Sequence, residues 1–227
     1  MYFTGVLTIA AKDLRAEWRT REAINASLAF MLVILVLFSF AFDPGNPEIN
    51  IPALAAGLLW MAYSFAAALA LNRSFARELQ NDCLDALIAA PIPASALYLG
   101  KVLANFVLLL AMEILSLFIF SLLYNVKVAT HIWELLLVIV LGTWAMAIMG
   151  TLFSALTVNL RLRELMLPIM TYPFLVPALM AAILLTDALL HGEPFGPKNT
   201  LWLKLLAGFD IIFTSLAVLL IDTVLVG

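Results

Sequence analysis

The chain has 227 residues, of which 65% are hydrophobic and 12% are charged, and its net charge is −3. A soluble domain carries about a quarter charged residues, so this chain has too few polar side chains to cover a water-exposed surface. We expect one membrane domain over residues 1–227, surrounded by lipid, with no second large soluble domain and no nucleic-acid partner.

Residues 2–22 have the pattern of an amphipathic helix that lies in the membrane interface. The apolar side chains that share one face at the helical period are Phe3, Leu7, Ala10, Leu14 and Trp18. A separate face carries Lys12, Arg15 and Arg19. A basic face, an apolar face and a tryptophan are typical of interfacial helices. The alternative is an ordinary helix beside the membrane with no special role.

Six stretches are apolar enough to span a membrane, since a spanning helix needs about 20 such residues. They are residues 24–42, 51–71, 98–124, 132–156, 165–186 and 201–225. Acidic residues precede the first stretch, which favours a retained anchor over a cleaved signal peptide. The sequence therefore predicts an all-α integral membrane protein with six transmembrane helices.

The basic residues predict the orientation of these spans, because lysine and arginine near span ends favour the cytoplasm. With six spans, one side of the membrane receives Lys12, Arg15, Arg19, Arg21, Arg73, Arg77, Lys101, Arg161 and Arg163. The other side receives Lys127, Lys198 and Lys204. We therefore expect both termini in the cytoplasm, together with the segment between the second and third spans.

That segment, residues 73–93, is predicted to form a short cytoplasmic helix that docks on a soluble partner. Its apolar side chains Leu79, Leu84, Leu87 and Ile88 are interspersed with Glu78, Asp82 and Asp85. Pro91 and Pro93 end this helix, and the next helix begins directly after them. A solvated loop is the alternative, but a stretch this apolar needs a surface to pack against.

Two of the spans carry unusual residues. Pro168, Pro173 and Pro177 interrupt the fifth span, which indicates either a moving, pathway-lining helix or a static kinked one. The small residues Gly142, Gly150 and Ser154 on one face of the fourth span favour close packing against a neighbouring helix.

Acidic residues inside apolar spans are expensive unless they are paired, so they are candidate functional residues. Glu113 and Asp210 lie deep in the third and sixth spans. For Glu113 we prefer a polar contact between helices over a contact with substrate. His131 and His191 are candidate haem ligands at the predicted outer side, although a histidine at a span end is more often simply interfacial. The chain lacks GxxxxGK[ST], HExxH, CxxC and GxSxG, so no catalytic residue and no metal site are predicted.

Two groups of motifs resemble the haem exporter protein B (CcmB) family of ABC-2 type permeases. The first comprises ELQNDCLDAL at 78–87, Ala90-Pro91 and SALYLGK at 95–101. The second comprises Thr151-Leu152, ALTVNLR at 155–161, Arg163-Glu164, Leu167-Pro168 and Tyr172-Pro173. The resemblance covers most of the chain, including its length and number of spans.

The resemblance implies a membrane subunit of an ATP-driven complex that serves c-type cytochrome biogenesis in the bacterial inner membrane. This chain would bind a separate soluble ATPase through the coupling segment (residues 73–93), with the contacts Glu78, Asp82, Leu84, Asp85, Leu87 and Pro91. The other implied partners are a haem-handling membrane subunit, a small membrane subunit and a periplasmic haem chaperone. The chain itself would not be an enzyme, and haem would be a transported species rather than a firmly bound cofactor.

Three functions remain open at this point. The chain would carry haem, or transmit ATPase motion that releases a haem-loaded chaperone without translocating anything, or export another amphipathic substrate. A haem carrier needs a cavity wide enough for a porphyrin. Its expected lining comes from Met112, Glu113, Trp144, Met146, Met149 and Met170.

Overall fold

The structure is a computed structural model that describes residues 2–42, 51–75, 92–126, 128–158, 160 and 162–226. Within these ranges all regular elements are helical. They are α1 (Tyr2–Thr20), α2 (Glu22–Phe42), α3 (Ile51–Leu71), α4 (Ala94–Tyr124), a 3₁₀ turn (Val128–His131), α5 (Ile132–Thr157), α6 (Arg163–Leu190) and α7 (Pro197–Val226). Six of them, α2 to α7, are long and apolar enough to cross a membrane. The predicted all-α body with six spans is confirmed.

Helix α5 is the centre of the bundle. It packs against α3, α4, α6 and α7, and every residue from Ala145 to Ala155 is buried. A helix that is apolar on all sides is expected to lie inside a bundle, where each face meets another helix. Helix α1, in contrast, lies on the outside along α4.

Two glycines bring α5 close to α3. A Cβ atom at Gly142 would lie 2.1 Å from Cη2 of Trp60, and one at Gly150 would lie 2.2 Å from Cδ1 of Leu71. Real Cβ atoms do not approach other heavy atoms this closely, so both contacts depend on glycine. The close packing predicted from these small residues is confirmed.

Tyrosine hydroxyls join the spans at four places. The bonds run from Tyr63 to the Glu113 carbonyl (3.1 Å), Tyr98 to Ile148 (2.7 Å), Tyr124 to Leu35 (3.0 Å) and Tyr172 to Ser64 (3.0 Å). A hydroxyl buried within a membrane bundle has no water to bond to, so a hydrogen bond to a backbone carbonyl of the next helix avoids the free-energy cost of leaving it unpaired. These bonds connect α3 with α4, α4 with α5, α4 with α2, and α6 with α3.

Helix α6 continues without a break through its three prolines. The Trp60 indole donates to the Thr186 hydroxyl at 2.9 Å, and Tyr172 donates to α3 nearer the start of α6. Helix α6 is therefore bonded to α3 within the proline-containing stretch and again after it. This arrangement fits the packed helix better than the moving helix among the two predicted alternatives.

One end of the bundle collects chain segments that are far apart in sequence. A buried cluster there contains Phe75 after α3, Tyr98 and Val102 of α4, Ile148 and Leu152 of α5, and Ala217 and Ile221 of α7. Two of the basic residues that predict the cytoplasmic side adjoin this end, since Lys101 contacts Phe75 and Arg73 lies two residues before it. The cytoplasmic location of this end remains a prediction.

Candidate functional site

The candidate site is the junction where the chain leaves α3 and returns into α4. The structure describes Arg73 to Phe75 on one side of it and Ile92 and Pro93 on the other. The residues predicted to contact the ATPase lie outside the described residues, namely Glu78, Asp82, Leu84, Asp85, Leu87 and Pro91. What the structure shows is how both flanks of residues 76–91 are attached to the bundle.

Lys101 is the centre of this junction. Only 1% of the Lys101 surface is exposed. Its ammonium group donates to the Ser74 carbonyl at 2.8 Å and to Asp13 Oδ2 at 3.2 Å. The same nitrogen lies 4.8 Å from the centroid of the Phe75 ring, which suits a cation–π contact. A buried charge must be compensated. Here the compensation comes from α1 and from the residues that follow α3.

Asn105 extends this attachment to the central helix. It lies one turn after Lys101 on α4, and its amide donates to the Ser74 hydroxyl at 2.9 Å and to the Thr151 hydroxyl at 2.8 Å. Phe75 itself is fully buried in the cluster at this end of the bundle. The two residues before 76–91 are therefore held by α4 and α5 together.

Helix α1 joins the same junction through its acidic side chains. Asp13 bonds Lys101, and the Glu17 carboxylate accepts the backbone N–H groups of Ala23 and Ile24 at 2.8 and 3.1 Å. Glu17 thereby caps the first turn of α2, whose free N–H groups favour a negative charge. The sharp turn between the two helices is at Arg21, which has a positive φ of 55°.

A cavity of about 240 Å³ opens beside these residues. Its polar part is formed by Lys12, Asp13, Glu17, Arg73 and Asn105. Arg73 also forms an ion pair with Glu22 at 3.1 Å. Since this pair is exposed, its contribution to stability is expected to be about 0–1 kcal/mol. The buried Lys101 contacts, and not this pair, dominate the energetics of the junction.

The two intramembrane acids are placed very differently. Glu113 is fully buried in α4, and its Oε2 accepts a hydrogen bond from the Thr143 hydroxyl of α5, while its Oε1 has no partner among the described residues. This is the contact between helices that the sequence favours for it. Asp210 is 6% exposed, and neither of its carboxyl oxygens has a hydrogen-bond partner among the described residues.

The two histidines each pair with an acid close in sequence. His131 Nδ1 lies 3.2 Å from Glu134 Oε2, and His191 Nδ1 lies 3.2 Å from Asp187 Oδ1. Both stand at helix ends opposite the junction, at the start of α5 and just after α6. Their role as haem ligands stays a prediction.

The six side chains predicted to line a porphyrin cavity are distributed over different surroundings. Met112, Met146 and Met149 belong to the main hydrophobic cluster of the core, and Glu113 contacts Thr143. Trp144 lines a groove on the outside of the bundle, and Met170 is exposed. The described structure does not bring all six to one surface.

Sequence reasoning missed most of the junction. Lys101 counted only as a marker of orientation and as the last residue of the motif at 95–101, and Asp13 only as one of the acidic residues before the first span. Ser74, Phe75 and Asn105 gave no signal of their own, and Thr151 appeared only as part of a family motif. A lysine several residues inside an apolar helix was the available signal, because a charge at that depth requires partners.

A bundle of six apolar helices with an external helix and a polar junction defines a polytopic α-helical membrane protein. The chain belongs to the family described as CcmB protein, whose model matches residues 4–224.

Relatives support this membership. The chain is 33% identical to Heme exporter protein B of Rhodobacter capsulatus over 172 residues, which cover 76% of this chain and 78% of that protein. It is 28% identical to Heme exporter protein B of Pseudomonas aeruginosa over 210 residues, which cover 92% of each chain. The relative from Paracoccus denitrificans is 31% identical over 169 residues. The predicted family is confirmed.

Proposed function

We propose that the chain is the permease subunit of an ATP-driven complex for haem export in c-type cytochrome biogenesis. The observation that carries this proposal is the attachment of residue 74 to Lys101 and Asn105, directly before residues 76–91. A soluble ATPase that moves residues 76–91 would act on α1, α4 and α5 through these bonds. The ATPase activity belongs to that partner, and this chain is not an enzyme.

The substrate and setting follow from the family. The relatives carry the name Heme exporter protein B, and the six apolar helices fit a multi-pass protein of the bacterial inner membrane. We assign both termini and the 73–93 segment to the cytoplasm, and α1 to the membrane interface, where its exposed Phe3, Leu7 and Trp18 would meet lipid. A haem-handling membrane subunit, a small membrane subunit and a periplasmic haem chaperone complete the proposed complex.

Co-purification of the ATPase tests the docking assignment. Leu84→Asp places a charge on the apolar face of the segment, and Asp85→Lys reverses a charge. Both variants are expected to insert normally but to lose the ATPase and ATP-dependent turnover. Gln80→Ala, in the same segment but outside the assigned contacts, is the matched control. A normal ATPase yield with both Leu84→Asp and Asp85→Lys would refute the assignment.

A second candidate function is favoured by the packing of the core. Met112, Met146 and Met149 fill the hydrophobic cluster between helices, and the junction joins α1, α4 and α5 by buried bonds. This arrangement suits a subunit that transmits motion and releases a loaded chaperone without carrying haem itself. Replacing both His131 and His191 by alanine separates the two functions. Unchanged haem loading of the chaperone supports the transmitter, and lost loading supports the carrier.

A further inference from the structure

A groove on the outside of the bundle, between α5 and α7, is lined in part by the acidic residue Asp210. The groove has a volume of about 480 Å³, and its lining is Leu141, Trp144, Ala207, Asp210, Ile211, Thr214 and Ser215. Asp210 lies near the middle of α7, the helix from Pro197 to Val226. It is 94% buried, since 6% of its surface is exposed, and both carboxyl oxygens lack a hydrogen-bond partner in the described part of the chain.

The side-chain donors that line the groove are directed to other acceptors. The Trp144 indole donates to the Thr214 hydroxyl at 3.2 Å, and Thr214 donates to the backbone carbonyl of Asp210 at 2.5 Å. Ser215 donates to the Ile211 carbonyl at 2.8 Å. An indole has one hydrogen to give, and so has each hydroxyl. None of these three donors is therefore available to the Asp210 carboxyl, although each of them has an acceptor of its own.

The surroundings of the groove are those of a lipid-facing surface. Ile211 of α7, which lines the groove, and Leu137, one turn before Leu141 on α5, are exposed apolar side chains. A carboxyl group at this depth is costly unless another group pairs with it, and charged side chains inside membranes usually pair with one another. A basic side chain on an apolar helix of another protein would supply both the missing charge and an apolar surface that fits the groove.

We propose that the groove between α5 and α7 is the docking site for a transmembrane helix of another subunit, which places a lysine or arginine side chain against Asp210. The apolar walls formed by Leu141 and Ile211 contact the body of that helix. The proposal stands on the groove itself and does not require that the chain export haem.

A second copy of this chain does not meet the requirement. Among the described residues, Lys101 is buried in the junction, and the remaining basic side chains stand in α1, at Arg21, at Arg73, at Arg163, at Lys198 and at Lys204. Lys204 is the nearest along α7, and six residues of helix place it about 9 Å from the level of Asp210. In two copies with the same orientation in one membrane, Lys204 of one copy and Asp210 of the other would still differ in level by this distance. A different subunit is therefore the occupant.

Site-specific photo-crosslinking in native membranes tests the proposal on the full chain. A benzophenone side chain at Ser215 probes the groove, and one at the exposed Leu216, on the opposite face of α7, is the matched control. We expect the Ser215 position to crosslink one membrane subunit. The crosslinked helix of that subunit, identified by mass spectrometry, is expected to carry a lysine or arginine inside its apolar span.

Charge variants then test whether Asp210 holds that helix. Asp210→Lys is expected to reduce the crosslink at least about tenfold, and Asp210→Asn, which keeps the shape, is expected to reduce it less. Asp222→Lys is the control, since Asp222 is an exposed acid on the same helix. Retained ATPase co-purification shows that a variant is folded, and it reports on the proposed function separately.

Four results would overturn the proposal. They are a crosslink to a second copy of this chain, a crosslinked helix without a basic residue, equal crosslinking from Leu216, and a crosslink that survives both Asp210 substitutions. The last result would show that the groove is an interface in which the carboxyl group takes no part.

Discussion

Lys101 and Phe75 meet where the chain leaves α3, with the ammonium nitrogen 4.8 Å from the centroid of the ring. Phe75 is fully buried, and Lys101 also donates to the carbonyl of Ser74, the residue beside it. One side chain of α4 thus holds two consecutive residues at the edge of the segment assigned to ATPase docking. A force on residues 76–91 that passes back toward α3 would therefore reach α4 at this contact.

Lys101→Met should destabilise the protein more than Lys12→Met, although both lysines contact Asp13. Replacing Lys101 removes the buried ammonium that bonds Asp13 Oδ2 and the Ser74 carbonyl and leaves Asp13 with the exposed Lys12. Breaking a buried ion pair costs about 3–5 kcal/mol. The exposed Lys12 contact is worth about 0–1 kcal/mol. Unfolding of the purified chain in detergent measures both.

A double-mutant cycle with Asp13→Asn provides the control for this pair. The costs of Lys101→Met and Asp13→Asn should not add, because each substitution removes the same interaction. Strict additivity of the two substitutions would mean that the 3.2 Å contact contributes nothing.

Glu17→Ala should lower stability by about 1 kcal/mol, the usual cost of losing a helix cap. The carboxylate accepts two backbone N–H groups at the start of α2, and alanine accepts none. Glu17→Gln keeps an acceptor oxygen and should cost less. The thermal midpoints of the three proteins in detergent give this order, and equal midpoints for Ala and Gln would show that the cap is unimportant.

Gly142→Ala should cost about 1–3 kcal/mol because the added methyl group overpacks the contact with Trp60. The indole has little freedom to move, since it bonds Thr186 and packs edge-on against Tyr63. Gly57→Ala is the matched control, because a Cβ there meets nothing within 4 Å. Thermal unfolding in detergent separates the two variants.

A second substitution checks the cause of that loss. Trp60→Leu removes the ring atoms that the new methyl group would meet, so Gly142→Ala should cost much less in its presence. If the cost is the same in both backgrounds, the glycine is needed for some reason other than the approach of Trp60.

Thr143→Val should destabilise the bundle by about 1–3 kcal/mol, because it leaves the buried Glu113 carboxyl without its partner. Replacing both residues, as Glu113→Leu with Thr143→Val, should be less harmful than Thr143→Val alone, since no polar group then remains unpaired. Equilibrium unfolding of the single and double variants compares them. If the double variant is less stable than Thr143→Val, Glu113 makes other contacts that stabilise the protein.

The length and spacing of apolar residues were sufficient to predict the number of spans and the helical fold. The physical reason is local: in lipid a backbone must satisfy its own hydrogen bonds, and a helix does so within one segment. The glycines at 142 and 150 also predicted that α5 lies close to a neighbouring helix, because only small residues permit such an approach. Similarly, the basic residues indicated which helix ends share one side of the membrane.

The partners of each side chain were decided only by the tertiary structure. Lys101 and Asp13 are 88 residues apart in sequence, and Phe75 shares a cluster with Ala217. Periodicity shows that a helix has a buried face, but it does not show which helix covers that face. For the same reason, the sequence marked Glu113 and Asp210 equally as buried acids. Folding gave Glu113 the Thr143 hydroxyl and left the Asp210 carboxyl without a hydrogen-bond partner among the described residues. The difference arises because a partner depends on the neighbouring helix rather than on the segment itself.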